Sequence, residues 1–279
     1  MESLKNSVYE GERALFKGKD LNIDNCTFQN GESPLKESKN INVNNSTFSW
    51  KYPLWYSKNV KVTNSTFELM SRSGIWYTEN ISLDNCKIIA PKEFRRSKDI
   101  IISNSTFLDA SETLWNCENV TLTNVEAKGD YLLMNSNNVS IDNLKLNGNY
   151  VLDGGSNITV KNSILNAKDS FWNCENVLVE NTKIVGEYIG WNSKNVTFIN
   201  CEIESHQGFC YMENVRLVNC KLVNTDLAFE YSTVDATINS RVDSIKNPIK
   251  GTIKCLGYDE LILDDMDIEF TKNDVIIGE

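Results

Sequence analysis

Leu21-Asn-Ile-Asp-Asn-Cys-Thr-Phe28 and Ile41-Asn-Val-Asn-Asn-Ser-Thr-Phe48 are two copies of one eight-residue phrase, and Val60-Lys-Val-Thr-Asn-Ser-Thr-Phe67 and Ile81-Ser-Leu-Asp-Asn-Cys-Lys-Ile88 are two more. The phrase returns at 100–107, 120–127, 139–146, 158–165, 177–184, 196–203 and 215–222. Its fifth residue is always Asn, at 25, 45, 64, 85, 104, 124, 143, 162, 181, 200 and 219, in steps of 19 to 21 residues. A twelfth copy around Asn239 carries an extra residue, and a degenerate thirteenth is read at 261–268. Each copy alternates apolar and polar residues and then breaks at Asn, the pattern of a short β-strand ending in a turn. A period near 19 leaves no room for crossover helices. The chain must coil, with equivalent strands of successive turns paired in parallel about 4.8 Å apart.

The other half of each period suggests a second strand, at Pro34 to Ser38, Pro53 to Ser57, Gly74 to Thr78, Thr113 to Cys117 and Ser170 to Cys174. A left-handed hexapeptide coil would repeat at about 18 residues, and that period is absent. A pentapeptide-repeat coil is the alternative, since Ile23/Phe28 and Val43/Phe48 stand five apart, but the other half of the period does not follow it. The expected fold is therefore all-β, a right-handed parallel β-helix of the pectin-lyase-like kind. About twelve coils span residues 1–242, and residues 243–279 cap the last open strand edge.

Composition agrees. The 279 residues carry a net charge of −10, only four Pro, and 37 Asn, an excess that a repeated turn explains. An acidic chain is a poor electrostatic partner for nucleic acid or an anionic membrane. The amino terminus has no secretory apolar core, and no stretch reaches the length of a membrane span, so a soluble cytoplasmic protein is expected. With no CxxC pair and one histidine, His206, no metal site and no cofactor are expected.

Stacked turns convert each position of the period into a column. The Asn column just described, and a second at 40, 59, 80, 119, 138, 157, 176, 195 and 214, fit amide ladders at corners in the left-handed conformation. Cys26, Cys86, Cys201 and Cys220 alternate with Ser in one column, and Cys117 and Cys174 alternate with Ser and Thr in another. They read as small core fillers, with Cys201 and Cys220 the one pair placed for a disulfide.

A further column runs Phe16, Lys36, Trp55, Trp76, Arg95, Trp115, Met134, Asp153, Trp172, Trp191, Cys210 and Phe229. Its preceding neighbours, Leu35, Leu54, Ile75, Phe94, Leu114, Leu133, Leu152 and Phe171, are apolar, so alternation puts these inside and the tryptophans outside. Three readings of the tryptophans stay open: cover by the chain's own loops or tail, a self-association surface, or a platform for sugar rings. The ligand-binding candidates are Trp55, Trp76, Trp115, Trp172, Trp191, Tyr150 and Tyr188. Asp130, Asp153 and Asp169, with Arg95 and Arg96, are the candidate catalytic groups, because two carboxylates can divide acid and base roles in glycoside hydrolysis. Solvated loop charges are the plainer reading of the same residues.

The strings Gly31 to Ser38, Trp50 to Ser57, Phe94-Arg-Arg, Glu112 to Cys117 and Ala228 to Asp235 resemble a bacterial family described only as a domain of unknown function, grouped with the pectin-lyase-like β-helices. The resemblance extends over nearly the whole chain. It implies the fold and supplies no catalytic residues. Two functions are carried forward: a carbohydrate-binding or carbohydrate-active protein working through the Trp face, and a rigid scaffold whose Trp face binds a protein partner or a second copy. An acidic interaction protein of the pentapeptide kind stands behind them.

Overall fold

The computed structural model describes residues 1–264 and 275–278, which form two compact units, Met1–Lys145 and Leu146–Glu279. In the first unit the strands Glu2–Lys5, Lys19–Asp24, Lys39–Asn44, Lys58–Thr63, Glu79–Asp84, Lys98–Phe107 and Glu118–Lys128 pair in that order, each parallel to the next. Leu21, Ile41, Val60, Ile81, Ile100 and Val120 align across them, as do Ile23, Val43, Val62, Leu83, Ile102 and Leu122, and all are buried. Phe28, Phe48 and Phe67 form a second interior column, with ring centroids 4.9 Å apart. The second unit repeats the plan with Ser156–Lys161, Glu175–Glu180, Lys194–Ile199, Glu213–Asp226, Thr233–Ile238 and Lys250–Lys254. Each link between successive parallel strands is a crossover within one sheet, a connection that is right-handed in nearly all proteins. The fold is the all-β parallel β-helix expected of the repeat.

There are about fourteen turns rather than about twelve. One uncounted turn opens at Glu2, where Asn6 is a left-handed corner that accepts a 2.7 Å hydrogen bond from Asn25. The other is Lys250–Lys254, which pairs with Thr233–Ile238 without an Asn corner. Leu261 belongs to a different line of strands, opposite Ile245. The last part of the expected thirteenth copy, 265–268, lies outside the described residues, as does 265–274 of the expected cap. Asn239 is not among the left-handed residues, and the pairing slips by one between Leu217 and Cys220.

The second expected strand of each period is instead a run of turns. Leu35 and Glu37, Leu54 and Tyr56, Ile75 and Tyr77, Phe94 and Arg96, and Leu114 and Asn116 all have φ between 48° and 60°. Because left-handed residues alternate, the chain still turns every second side chain inward. Leu35, Leu54, Ile75, Phe94 and Leu114 are fully buried, as alternation predicted, though for a different backbone reason. Their carbonyls receive the hydroxyl or thiol column. Ser57 Oγ donates to Leu35 O, Thr78 Oγ1 to Leu54 O, Ser97 Oγ to Ile75 O and Cys117 Sγ to Phe94 O. A donor of small volume is what the position needs, which is why Cys, Ser and Thr interchange. All eight cysteines are buried. Among the described residues, no helix is long and apolar enough to cross a membrane.

Candidate functional site

In the first unit the tryptophan column is a closed stack. Trp55 and Trp76 lie face to face at 5.2 Å and 9°. The Arg95 guanidinium lies 4.9 Å from the Trp76 centroid and 4.5 Å from that of Trp115, and Lys36 Nζ lies 5.8 Å from Trp55 on the other side. Five consecutive turns thus contribute cation, ring, ring, cation and ring. Each indole N–H is bonded to the chain itself: Trp55 to Ser73 O at 2.6 Å, Trp76 to Lys92 O at 2.8 Å and Trp115 to Tyr131 O at 2.5 Å. Glu112 accepts from Arg95 at 2.6 Å and pairs with Lys92 at 3.1 Å. Arg95 is therefore stacked on both faces and paired at its Nη2 end, although its buried Nε has no partner, and its presence in the column does not require a ligand. Arg96, the next residue, is exposed. Tyr56 and Tyr77, the neighbouring column, stack at 4.7 Å and 5°.

Beneath this stack lies a group that the sequence reading passed over. Glu93 is fully buried, and neither carboxylate oxygen has a hydrogen-bond partner in good geometry. Its carboxyl occupies the space above Gly74, where an added Cβ would meet Glu93 Oε2 at 2.5 Å. Burial holds its pKa well above the usual carboxylate range, against a smaller opposing pull from the Gly74 amide. The signal was in the column Pro34, Pro53, Gly74, Glu93, Thr113, where one acid stands among small and apolar residues.

The second unit arranges its aromatics differently. Trp172 and Trp191 are 6.1 Å apart and tilted by 32°, and Trp191 meets Tyr211 at 4.7 Å and 46°. Tyr150 and Tyr188 stand edge-on to Trp172, and Tyr188 stands edge-on to Trp191. Trp172 Nε1 donates to Tyr188 O at 2.5 Å. The rings are splayed, and polar groups surround them. Asp153 accepts from Asn173 at 3.0 Å, His206 Nδ1 lies 2.8 Å from Asp226 Oδ1, and Lys168 pairs with Glu187 at 3.1 Å. Asp169 is only 2% exposed, and its Oδ1 has no partner. Burial raises its pKa, with Glu187 and Asp153 adding to the rise and Lys168 and the Tyr150 hydroxyl opposing it. Tyr211 and His206 were missed in the sequence because they stand one column away from the tryptophans or in the loop before them.

Of the candidate residues, the second unit gathers Tyr150, Asp153, Asp169, Trp172, Tyr188 and Trp191. Trp55, Trp76, Arg95, Arg96, Trp115 and Asp130 belong to the first unit. Asp169 is too covered to reach a glycosidic oxygen directly. Among the described residues, no three His, Cys, Asp or Glu side chains converge as a metal site.

No curated protein matches the sequence. Among solved structures, the chain is similar to PfbA, a surface adhesin of Streptococcus pneumoniae, at 12% identity over 94% of this chain and 78% of that one, with a TM-score of 0.45. It is similar to a tailspike protein of E. coli bacteriophage HK620 at 12% identity over 92% and 60%, with a TM-score of 0.43. It is also similar to the A-module of the mannuronan C-5 epimerase AlgE4 of Azotobacter vinelandii at 9% identity over 99% and 87%, with a TM-score of 0.31. A family model described as "Protein of unknown function (DUF3737)" matches residues 2–276, and the chain belongs to that family.

Proposed function

We propose that the second unit binds a neutral saccharide at the cluster of Tyr150, Trp172, Tyr188, Trp191 and Tyr211. The observation that carries this reading is the splay of the rings. In the first unit, Trp55 and Trp76 stack flat and Arg95 lies between Trp76 and Trp115, whereas Trp172, Trp191 and Tyr211 are tilted to one another by 32° and 46°. A sugar ring packs its C–H face on an aromatic face, and flanking polar side chains take its hydroxyls. Here Asp153, Asn192 and the His206–Asp226 pair stand beside the rings. The local charge favours a neutral ligand over a uronate. Lys168 is engaged by Glu187, and Asp153 and Asp226 would repel an acid.

A glycan array containing neutral and uronate oligosaccharides, followed by calorimetry on the best neutral binder, tests the proposal. Replacing Trp191 and Tyr211 by Ala should weaken binding at least tenfold, about 1.4 kcal/mol. No neutral binder, or binding indifferent to these substitutions, overturns it. Concentration-dependent self-association that the same substitutions abolish would favour the scaffold reading instead.

A further inference from the structure

We infer that Asp169 is a positioning residue of the second-unit site: its buried carboxyl holds the Tyr150 hydroxyl and so fixes the Tyr150 ring as the wall facing Trp172. This inference rests on the saccharide-site reading and adds a role for a residue that itself touches no ligand.

The backbone sets up the contact. Val151 and Ser170 form a parallel bridge, which places Tyr150 and Asp169 side by side on successive turns. The Lys168 amide donates to Asn149 Oδ1 at 3.0 Å, pinning the same two loops together one residue earlier. The Tyr150 hydroxyl hydrogen-bonds to the Asp169 carboxylate, and the Tyr150 ring meets Trp172 edge-on, at 6.1 Å and 90°. A tyrosine on a surface loop ordinarily samples several rotamers. A bond from its far end to an immobile acceptor removes that freedom before a ligand arrives.

Asp169 also departs from its own column. The equivalent residues in the first unit, Ser33, Tyr52, Ser73, Lys92, Glu112 and Tyr131, are all left-handed, and Asp169 is not. Tyr188, one turn on, is not left-handed either but stays half-buried, so the burial of Asp169 is its own. The change of backbone conformation accompanies a carboxyl turned inward, 2% exposed, with Oδ1 covered and unpartnered. Burying a carboxyl with an unused acceptor is unfavourable. A turn in this fold does not need an acid at this position, since five of those six turns fill it otherwise and the one acid, Glu112, is half-exposed and pairs with Arg95 and Lys92. The bond to Tyr150 is what the acid provides that those residues do not.

The experiment is a double-mutant cycle read in two ways. First, calorimetry with the neutral oligosaccharide found on the array compares wild type with Tyr150→Phe, Asp169→Ala, Asp169→Asn and the Tyr150→Phe/Asp169→Ala double variant. Tyr150→Phe and Asp169→Ala should each weaken binding about three- to tenfold. The double variant should be no weaker than the worse single one, and Asp169→Asn, which keeps an acceptor oxygen, should bind within about twofold of wild type. Second, fluorine NMR of fluorotryptophan-labelled protein follows Trp172, assigned through Trp172→Phe. Its resonance should move in Tyr150→Phe and Asp169→Ala and stay in Asp169→Asn.

Additive losses, or wild-type affinity in Tyr150→Phe, overturn the inference, as does an unmoved Trp172 resonance. If Asp169→Ala does not fold, Tyr150→Phe and Asp169→Asn decide it alone. If no saccharide binds, or binding ignores Trp191→Ala, the saccharide reading fails. The fluorine resonance still reports whether Asp169 positions the Tyr150 wall.

Discussion

The guanidinium of Arg95 lies 4.5 Å from the ring centroid of Trp115, one turn further along the coil. With Trp76 at 4.9 Å on its opposite face, the cation is clamped between two indoles, and Glu112 ties its end at 2.6 Å. A stacked guanidinium contributes about 0.5–2 kcal/mol, more as it is desolvated. Arg95→Ala should therefore lower unfolding stability by about 1–3 kcal/mol in urea titrations. Arg95→Lys should recover only part, because an ammonium keeps the charge without the planar stack. A neutral Arg95→Ala variant would show that the column is held by its rings alone.

Glu93 gives a prediction in pH. Its folded-state pKa is raised by burial, so the folded protein holds this proton to higher pH than the unfolded chain does. Stability from this group is full below the unfolded carboxyl value, about 4.3, and is lost progressively as pH rises toward the folded value. Glu93→Gln should flatten that part of the stability–pH curve, and the difference from wild type should vanish below about pH 4. Glu93→Met, which fills the space above Gly74 without an unpartnered oxygen, should add about 1–3 kcal/mol at neutral pH. A wild-type curve that rises between pH 5 and 7 relative to Glu93→Gln would reverse the sign and sink the assignment.

The thiols should be silent in the native state. Burial pushes Cys117, Cys174 and Cys210 up to about 12, so at pH 8 almost none of each is thiolate, and all eight cysteines are covered. An aromatic disulfide reagent should titrate essentially none of them until the protein unfolds, then eight in the absence of reductant. Six would indicate a bond between Cys201 and Cys220, which stand at equivalent positions on successive turns.

How much of this was legible in the sequence depends on whether a residue's role is set by its column or by its neighbours. Asn25, Asn45, Asn64, Asn85, Asn104 and Asn124 recur at one corner, and the corner they form is left-handed. Asn85 is bonded to Asn64 at 2.7 Å and Asn124 to Asn104 at 3.0 Å, while Asn64 and Asn104 donate instead to Asn44 and Asp84 on the turn before. Leu54 inside and Trp55 outside also follow from the column alone. What could not be read was the state of each ring face. Trp76 and Trp191 occupy the same column, yet one is sandwiched and the other is splayed, because the deciding neighbours, Arg95 and Tyr211, lie on different turns or columns. Asp169 was equally opaque. It is not left-handed, unlike its first-unit equivalents, and nothing in its identity marks that change or its burial.

The ladder itself can be tested at Asn64, whose side chain donates to Asn44 Oδ1 at 2.8 Å and accepts from Asn85 at 2.7 Å while φ is 51°. Asn64→Ala loses both bonds and places a Cβ residue without Asn's local compensation in the left-handed region, a cost of about 1–2 kcal/mol. Asn64→Gly loses the same bonds but none of the conformational freedom, so it should be the milder change. Equal losses would mean that the bonds, rather than the backbone, dominate.

The two tryptophans provide the sharpest separation of fold from function. Trp76 has Trp55 against one face, Arg95 against the other and its N–H bonded to Lys92 O at 2.8 Å, so truncation leaves a cavity in a packed stack. Trp76 is half-buried, so Trp76→Ala should cost about 2–4 kcal/mol, somewhat less than for a fully buried aromatic, and leave saccharide binding by the folded protein unchanged. Trp191 is tilted 46° from Tyr211 and 32° from Trp172, so it meets its neighbours at an angle rather than in a flat stack. Trp191→Ala should cost about 1–2 kcal/mol and weaken saccharide binding at least tenfold. Urea unfolding and calorimetry on both variants read the two effects separately. A Trp191→Ala variant as unstable as Trp76→Ala, with affinity unchanged in whatever remains folded, would make the second cluster another structural stack and remove the reason for placing a ligand there.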